Sequence, residues 1–389
     1  MSDSPDKAAP PEPTEPAEET ARPAVGASRD SAGAEPTSKQ VRRGRRRLSR
    51  RGWTMLASGV LVLTFAMVGA FVRVPYVALG PGPTYDTLGA VDGTEVIRID
   101  GQRTYPTGGE LRMTTVSLND NMTMFGALGM WLSGRYALAP REEYFQPGQS
   151  EEEVRRENLR QFQDSQSNAE VAALRRLGHP VEVVVDQVVD DSPAAGFLEP
   201  GDRIVEVDGK EVADSAAVRE VLGATRPGQT VSVTYQRGED AERTEKVTLA
   251  EHPEAAFGFL GIQPTDNVDV PFTVDIALED VGGPSAGLMF ALAIVDELTP
   301  GQLTGGEHVA GTGTIDANGN VGAIGGISFK LVAAREAGAT AFLVPEENCA
   351  EAVAAAPEGL TLFRVGTLDD AVGALEALAD GRSAPVCGT

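Results

Sequence analysis

Two residues in this chain have the types and surroundings to act together as a nucleophile and its base. Ser285 lies in the run Gly282-Gly283-Pro284-Ser285-Ala286-Gly287, and Lys330 closes the run Ile324-Gly325-Gly326-Ile327-Ser328-Phe329-Lys330. A serine hydroxyl becomes a useful nucleophile only when a neighbour takes its proton. A lysine amine can be that neighbour only where loss of water lowers its pKa. The chemistry in prospect is acyl transfer through a serine ester. Taken alone, the serine run reads better as a helix cap than as a nucleophile.

The flanking pattern indicates what must position the pair. Thr273–Leu278 is an apolar-rich strand ending in Glu279-Asp280-Val281-Gly282-Gly283, and a helix is expected from Pro284 to Leu298. Proline suits a first helical position, where its missing N–H has no partner to lose. Ser285 would then sit in the first turn, beside unpaired N–H groups and the positive end of the helix dipole. Gly283, Pro284 and Ala286 would surround a developing oxyanion, and the glycines would let a substrate backbone come close. Downstream, His308–Ile315 and Asn320–Ile324 read as a hairpin closed by Asp316-Ala317-Asn318-Gly319, followed by a helix over about Ser328 to Ala337. At 100° per residue, Ala333, Ala334 and Ala337 fall within about 60° of Lys330, whereas Arg335 and Glu336 lie about 140° and 240° away. Lys330 therefore belongs to the close-packed face, where burial would disfavour its ammonium.

The 389-residue chain has room for two domains with appendages, and its net charge of −24 excludes a broad nucleic-acid surface. Residues 1–38, rich in Pro, Ala, Glu, Ser and Thr, read as a disordered tail. Lys39, Arg42, Arg43, Arg45, Arg46, Arg47, Arg50 and Arg51 then form a basic cluster. Trp53 to Val72 follows as an uncharged, mostly apolar run of the ~20 residues a helix needs to cross a bilayer core. A core helix is rarely apolar on every face, and a cleaved signal has a shorter apolar centre and a shorter leader. The expectation is a single uncleaved span with a cytoplasmic N-terminus and everything after Val72 outside. His179, His252 and His308 are scattered and no CxxC occurs, so no metal site or cofactor is expected. Cys349 and Cys387 fit an oxidising exterior, but two cysteines do not reveal whether they pair.

Outside the span, Gly80-Pro81-Gly82-Pro83 reads as a turn-rich exit, Val96–Ile99 and Glu110–Val116 as short strands, and 120–178 as mostly helical. The sequence assigns residues 120–176 no chemical role. Between Gly178 and Leu249 the pattern gives strands at Val181–Val185, Gly201–Lys210, Thr230–Gln236 and Glu245–Leu249, with a helix at Ser215–Leu222. The run SPAAGFLEPGDRIVEVDGKEV resembles the PDZ domains of bacterial proteases. Such domains capture an extended peptide as an added strand. The resemblance implies a carboxylate-binding loop at Leu177-Gly178-His179-Pro180 and a pairing strand through Val181 and Val183 to Val185.

The PSAG of Pro284–Gly287, with Thr312-Gly313, Gly319, Val321, Ile324-Gly325-Gly326 and Lys330, resembles the Lon-type serine protease domain, over residues 257–380. That implies Ser285 as nucleophile, Lys330 as general base and Thr312 as the residue orienting the lysine. The acid commonly found three positions before the serine is Gly282 here, with Glu279 and Asp280 just upstream. No G-x-x-x-x-G-K-[ST] phosphate loop occurs, so no ATPase motor of the Lon kind is expected. The reading is an α+β protein. It has a cytoplasmic tail (1–52), a span (53–73), a strand and helix region that could begin the protease fold (74–176), a PDZ domain (177–250) and a Lon-type proteolytic domain (251–382). The expected partners are protein or peptide substrates and the bilayer, with a hexameric ring by analogy. The competing reading is a membrane-tethered PDZ adaptor with an inert protease-like domain.

Overall fold

The computed structural model describes residues 49–145, 148–253, 255–278 and 281–388. The tail and the basic cluster up to Arg47 lie outside the described residues, as do Glu279 and Asp280. The chain divides into two units, Met1–Val60 and Leu61–Thr389. The described part of the first unit begins the helix Arg50–Phe71, which is long and apolar enough to cross a membrane.

Within the second unit, one six-stranded sheet has the order Thr361–Val365, Ala341–Pro345, His308–Gly311, Glu110–Asn119, Tyr76–Asp86, Ala137–Pro140. The first four strands run parallel and the last two pairings are antiparallel. The strands on either side of the His308–Glu110 pairing are thus separated in sequence by most of the unit. Gly80-Pro81-Gly82-Pro83 forms part of the Tyr76–Asp86 strand, not a turn. Ala137–Pro140 pairs only with Tyr76–Leu79, so from Gly80 onward one edge needs no N–H donors, and the register shifts between Pro81 and Thr84. Close packing replaces flexibility as the reason for glycine at 82, where a Cβ would lie 2.3 Å from the Thr115 hydroxyl.

The helix Gly287–Leu298 is apolar on nearly every side, and all residues from Gly287 to Asp296 are buried, so it runs through the core. The long helix Glu151–Arg176 starts with a capping box between Ser150 and Glu153. It packs on the core helix, Phe162 meeting Phe290 edge-to-face with ring centroids 5.8 Å apart. A second sheet has the order Arg243–Thr248, Thr230–Gln236, Arg203–Val207, Val181–Val188, Ile262–Val268, over its own core of Val183, Ile204, Val231 and Val233. Positive φ at Asp208 and Gly209 (52° and 71°) makes the tight turn after Arg203–Val207. Cys349 and Cys387 are disulfide-bonded, tying the start of the Cys349–Ala355 helix to the chain's C-terminal residues beside Thr361–Val365.

Candidate active site

Lys330 projects from the helix Ile327–Glu336, which Gly326 opens at φ 70°. Ala333 and Ala334 on its side are buried, while Arg335 and Glu336 are exposed. Lys330 itself is 2% exposed. Burial pulls its pKa down from 10.5 to about 7, with desolvation as the cause. Its Nζ lies 2.7 Å from Ser285 Oγ and donates to Thr312 Oγ1 at 2.8 Å. The Thr312 hydroxyl in turn donates to the Ser285 carbonyl at 3.0 Å. Three residues distant in sequence therefore form one closed set of contacts.

Ser285 does not sit inside a helix. The helix begins at Gly287, and 283–286 form the turn before it. The Ser285 carbonyl accepts from the Thr312 hydroxyl and the Gly313 N–H, which takes it out of the helical ladder. The surroundings of the expected oxyanion change accordingly. Gly283, at φ 85°, donates its N–H to the Asn158 carbonyl at 3.0 Å, and Pro284 has no N–H, so neither can serve as donor. No hydrogen bond among the described residues uses the N–H of Ser285 or Ala286, which leaves these two as the donors of the turn.

Sequence reasoning missed the buttress behind this turn. Buried Ser165 donates its hydroxyl to the Pro284 carbonyl at 3.0 Å, and Gln166 bonds the Ile276 carbonyl at 3.2 Å. Both lie on the long helix, whose polar pattern resembles any solvated helix and gives no signal. The same helix bears on Gly282: a Cβ there would meet Asn158 Cβ at 3.0 Å, a tight approach at which Asn158 would have to give by a few tenths of an ångström. The cavity over Ser285 holds about 390 Å³ and is walled by Pro83, Tyr85, Met113, Thr115 and Val116 from the first two long strands. Val281 and Gly282 also border a neighbouring groove of about 620 Å³ containing Leu118, Tyr144 and Phe145.

The structure corrects the peptide-pairing segment expected at 177–185. Val181–Val188, with Val181 and Val183 in it, is an inner strand, paired along its length with Ile262–Val268 and on its other side with Arg203 and Ile204. It has no free edge to offer. Leu177, Gly178 and His179 instead close the long helix: Gly178 (φ 86°) donates to the Arg175 carbonyl and His179 to the Leu174 carbonyl. The His179 ring rests on Phe272. Of the sheet's two edge strands, Ile262–Val268 is the one next to Val181–Val188, tied to the helix Ser215–Gly223 by Asp266, which accepts from the Ser215 N–H and hydroxyl at 2.6 and 2.9 Å. A groove of about 470 Å³ opens there, lined by Val188, Arg219, Leu222, Phe257, Phe259 and Ile262.

Among known proteins, the model of the Lon protease (S16) C-terminal proteolytic domain matches residues 268–374, and a PDZ-domain model matches 153–249. The Lon protease of Clostridioides difficile is 46% identical over 65 residues, 17% of this chain and 8% of that protein. Lon protease 1 of Bacillus subtilis is 31% identical over 134 residues, 31% of this chain and 17% of that protein. A DegP-like periplasmic serine endoprotease of Pseudomonas fulva is 36% identical over 87 residues, 22% of this chain and 18% of that protein. The matches thus span less than a fifth of each relative's length. A solved PDZ domain of an SdrC-like protein from Listeria monocytogenes is 31% identical, covering 21% of this chain and 85% of its own, at a TM-score of 0.20. The chain carries a PDZ domain and a Lon-type (S16) serine-protease domain.

Proposed function

We propose that the protein is a membrane-anchored serine endopeptidase that works without ATP, with Ser285 as nucleophile and Lys330 as general base. The observation that carries this is the Lys330 Nζ held 2.7 Å from Ser285 Oγ in a site that keeps the amine dehydrated. A neutral amine offers a lone pair, which takes the Oγ–H proton as Oγ attacks the substrate carbonyl carbon. The N–H groups of Ser285 and Ala286 stabilise the oxyanion of the tetrahedral intermediate. The lysine then gives its proton to the departing amine, and a water activated by the same base releases the acyl group and restores the serine.

The protease fold in this reading combines 74–176 with 269–382, since Glu110–Asn119 pairs with His308–Gly311 in one sheet, and the PDZ sheet, which ends with Ile262–Val268, is inserted between them. The PDZ groove beside Ile262–Val268 holds an extended segment of the protein substrate as an added strand. A location outside the cytoplasm is supported by the arginines on the N-terminal side of the span and by the Cys349–Cys387 bond. Independence from ATP is supported by the lack of a phosphate loop in these 389 residues.

The test is cleavage of an unstructured protein by the full chain in detergent, without nucleotide. Ser285→Ala and Lys330→Ala should each reduce it to background. Equal cleavage by both variants and the wild type would remove the pair from the chemistry. A requirement for ATP would refute the motor-free reading, and an inactive wild type would favour a PDZ adaptor.

A further inference from the structure

The helix Met124–Leu132, MFGALGMWL, has no polar side chain at all. Its inner side is accounted for, Ala127 and Met130 packing with Ala78, Met122 and Leu138. Its outer side is not. At 100° per residue, Met124, Phe125, Leu128, Trp131 and Leu132 share an arc of about 120°. All five are exposed, Trp131 by 58% and Leu132 by 69%. A helix face turned to water is normally polar, and five large apolar side chains in one stripe need a cover.

Its surroundings indicate which cover. The Met124 N–H donates to the Val72 carbonyl at 3.2 Å, and the Val74 N–H to the Met122 carbonyl at 3.1 Å. Arg73 and Thr123 form an isolated bridge. The Phe125 ring lies so close over Gly69 that a Cβ there would meet it at 2.4 Å. Gly69 is in the last turn of the apolar helix ending at Phe71. The stripe is therefore fixed at the level where that helix leaves the hydrocarbon. Between Met122 and Pro140 there is no acidic residue, and Arg135 is the single charge, in a chain of net charge −24. The segment itself adds no acidic side chain to repel anionic headgroups, and the one carboxylate paired to it, Glu336, is matched by Arg135.

We propose that Met124–Leu132 lies in the outer interfacial layer of the bilayer, its apolar stripe among the upper acyl chains and Trp131 at the headgroup level. Interfacial helices of this kind sink about 5–10 Å into the boundary. The protease fold would then rest on the lipid surface at two attachments instead of turning freely on one. This rests on the reading of Arg50–Phe71 as a span.

The chain has two tryptophans, Trp53 and Trp131, so two single-tryptophan proteins separate the two readings. The full chain carrying Trp53→Phe, and separately Trp131→Phe, is placed in phosphatidylcholine–phosphatidylglycerol vesicles with and without bromine on the upper acyl chain. Circular dichroism first establishes that both fold like the wild type. The expected result is that Trp131 loses most of its emission to brominated lipid and is shielded from aqueous iodide. Trp131 open to iodide and silent to bromine, with Trp53 quenched by bromine, would overturn the docking and leave the span intact. Silence of both tryptophans to bromine would overturn both readings. Trp131 shielded from iodide yet silent to bromine would mean that a protein, such as a second copy of this chain, covers the stripe, and would overturn the lipid assignment.

Discussion

The Thr312 hydroxyl has one proton, and it goes to the Ser285 carbonyl. Towards Lys330 it can only accept, so it takes an N–H and fixes the amine within 2.7 Å of Ser285 Oγ; the proposed mechanism needs the lone pair of the neutral amine on that side. Thr312→Val should lower kcat by about 10- to 100-fold, the equivalent of the ~1–3 kcal/mol lost when buried partners go unmet, while Thr312→Ser should keep most of the rate. Steady-state kinetics on a short peptide would decide. Because the base must be neutral, kcat/KM should climb with pH and level off above about 7, the value to which burial lowers Lys330. A profile flat across that value would exclude Lys330 as the base. Stability follows the same group. The unfolded amine holds its proton up to 10.5, so burying it becomes more costly as pH falls from 10.5 to about 7 and no more so below. Lys330→Met, inactive, should therefore raise Tm relative to wild type most at pH 7 and below, with the advantage shrinking towards pH 10.5. Parallel thermal melts across that range check the sign.

The long helix Glu151–Arg176 packs closely on the turn that carries Ser285, with Asn158 beside Gly282. Gly282→Asp, which would restore the acid common in the resembling family, should clash with Asn158 and shift the turn. Overpacking of ~1–3 kcal/mol predicts a fall of about tenfold or more in kcat, and a rise in activity would show that the turn can accommodate the side chain. The Ser285–Lys330 pair stood out in the sequence because a glycine-flanked turn and an alanine-lined helix face are local patterns, whereas Thr312 came only from the resemblance to the Lon-type domain. The helix start was not legible. Pro284 reads as a first helical residue, but the Ser285 carbonyl is taken by Thr312 and Gly313, a long-range choice that no local window contains. The pairing of Val181–Val188 with Ile262–Val268 was hidden for the same reason, and it moved the peptide edge from the first strand to the last. The prolines at 81 and 83 read as turn residues because sequence does not reveal which edge of a strand lies unpaired.

For the molecule as a whole, the groove beside Ile262–Val268 permits a cleaner test than removal of residues 178–249, which would strip that strand of its partner Val181–Val188. Leu222→Glu should place a charge in the groove and raise KM for a protein substrate by about tenfold, as loss of one apolar contact of ~1–3 kcal/mol implies, without changing KM for a short peptide. An equal rise for both would argue against recruitment. The Cys349–Cys387 bond closes a separation of 38 residues, for which chain entropy predicts a loss of about 3–4 kcal/mol on reduction, measurable as a lower urea midpoint.

The helix Glu151–Arg176 touches the Ser285 turn through Asn158 and Ser165, and its cap at Leu177 and Gly178 leads into the strand Val181–Val188, which pairs with the groove edge. One rod thus touches the Ser285 turn and continues into the strand paired with the groove edge. Thermodynamic linkage attaches a condition to that arrangement: whatever factor a groove peptide applies to the affinity of a reversible ligand at Ser285, the ligand must apply to the peptide in return. Two titrations, one with each site filled first, would have to give the same number. A factor of one in both directions would mean that the rod separates the two sites and carries no signal between them.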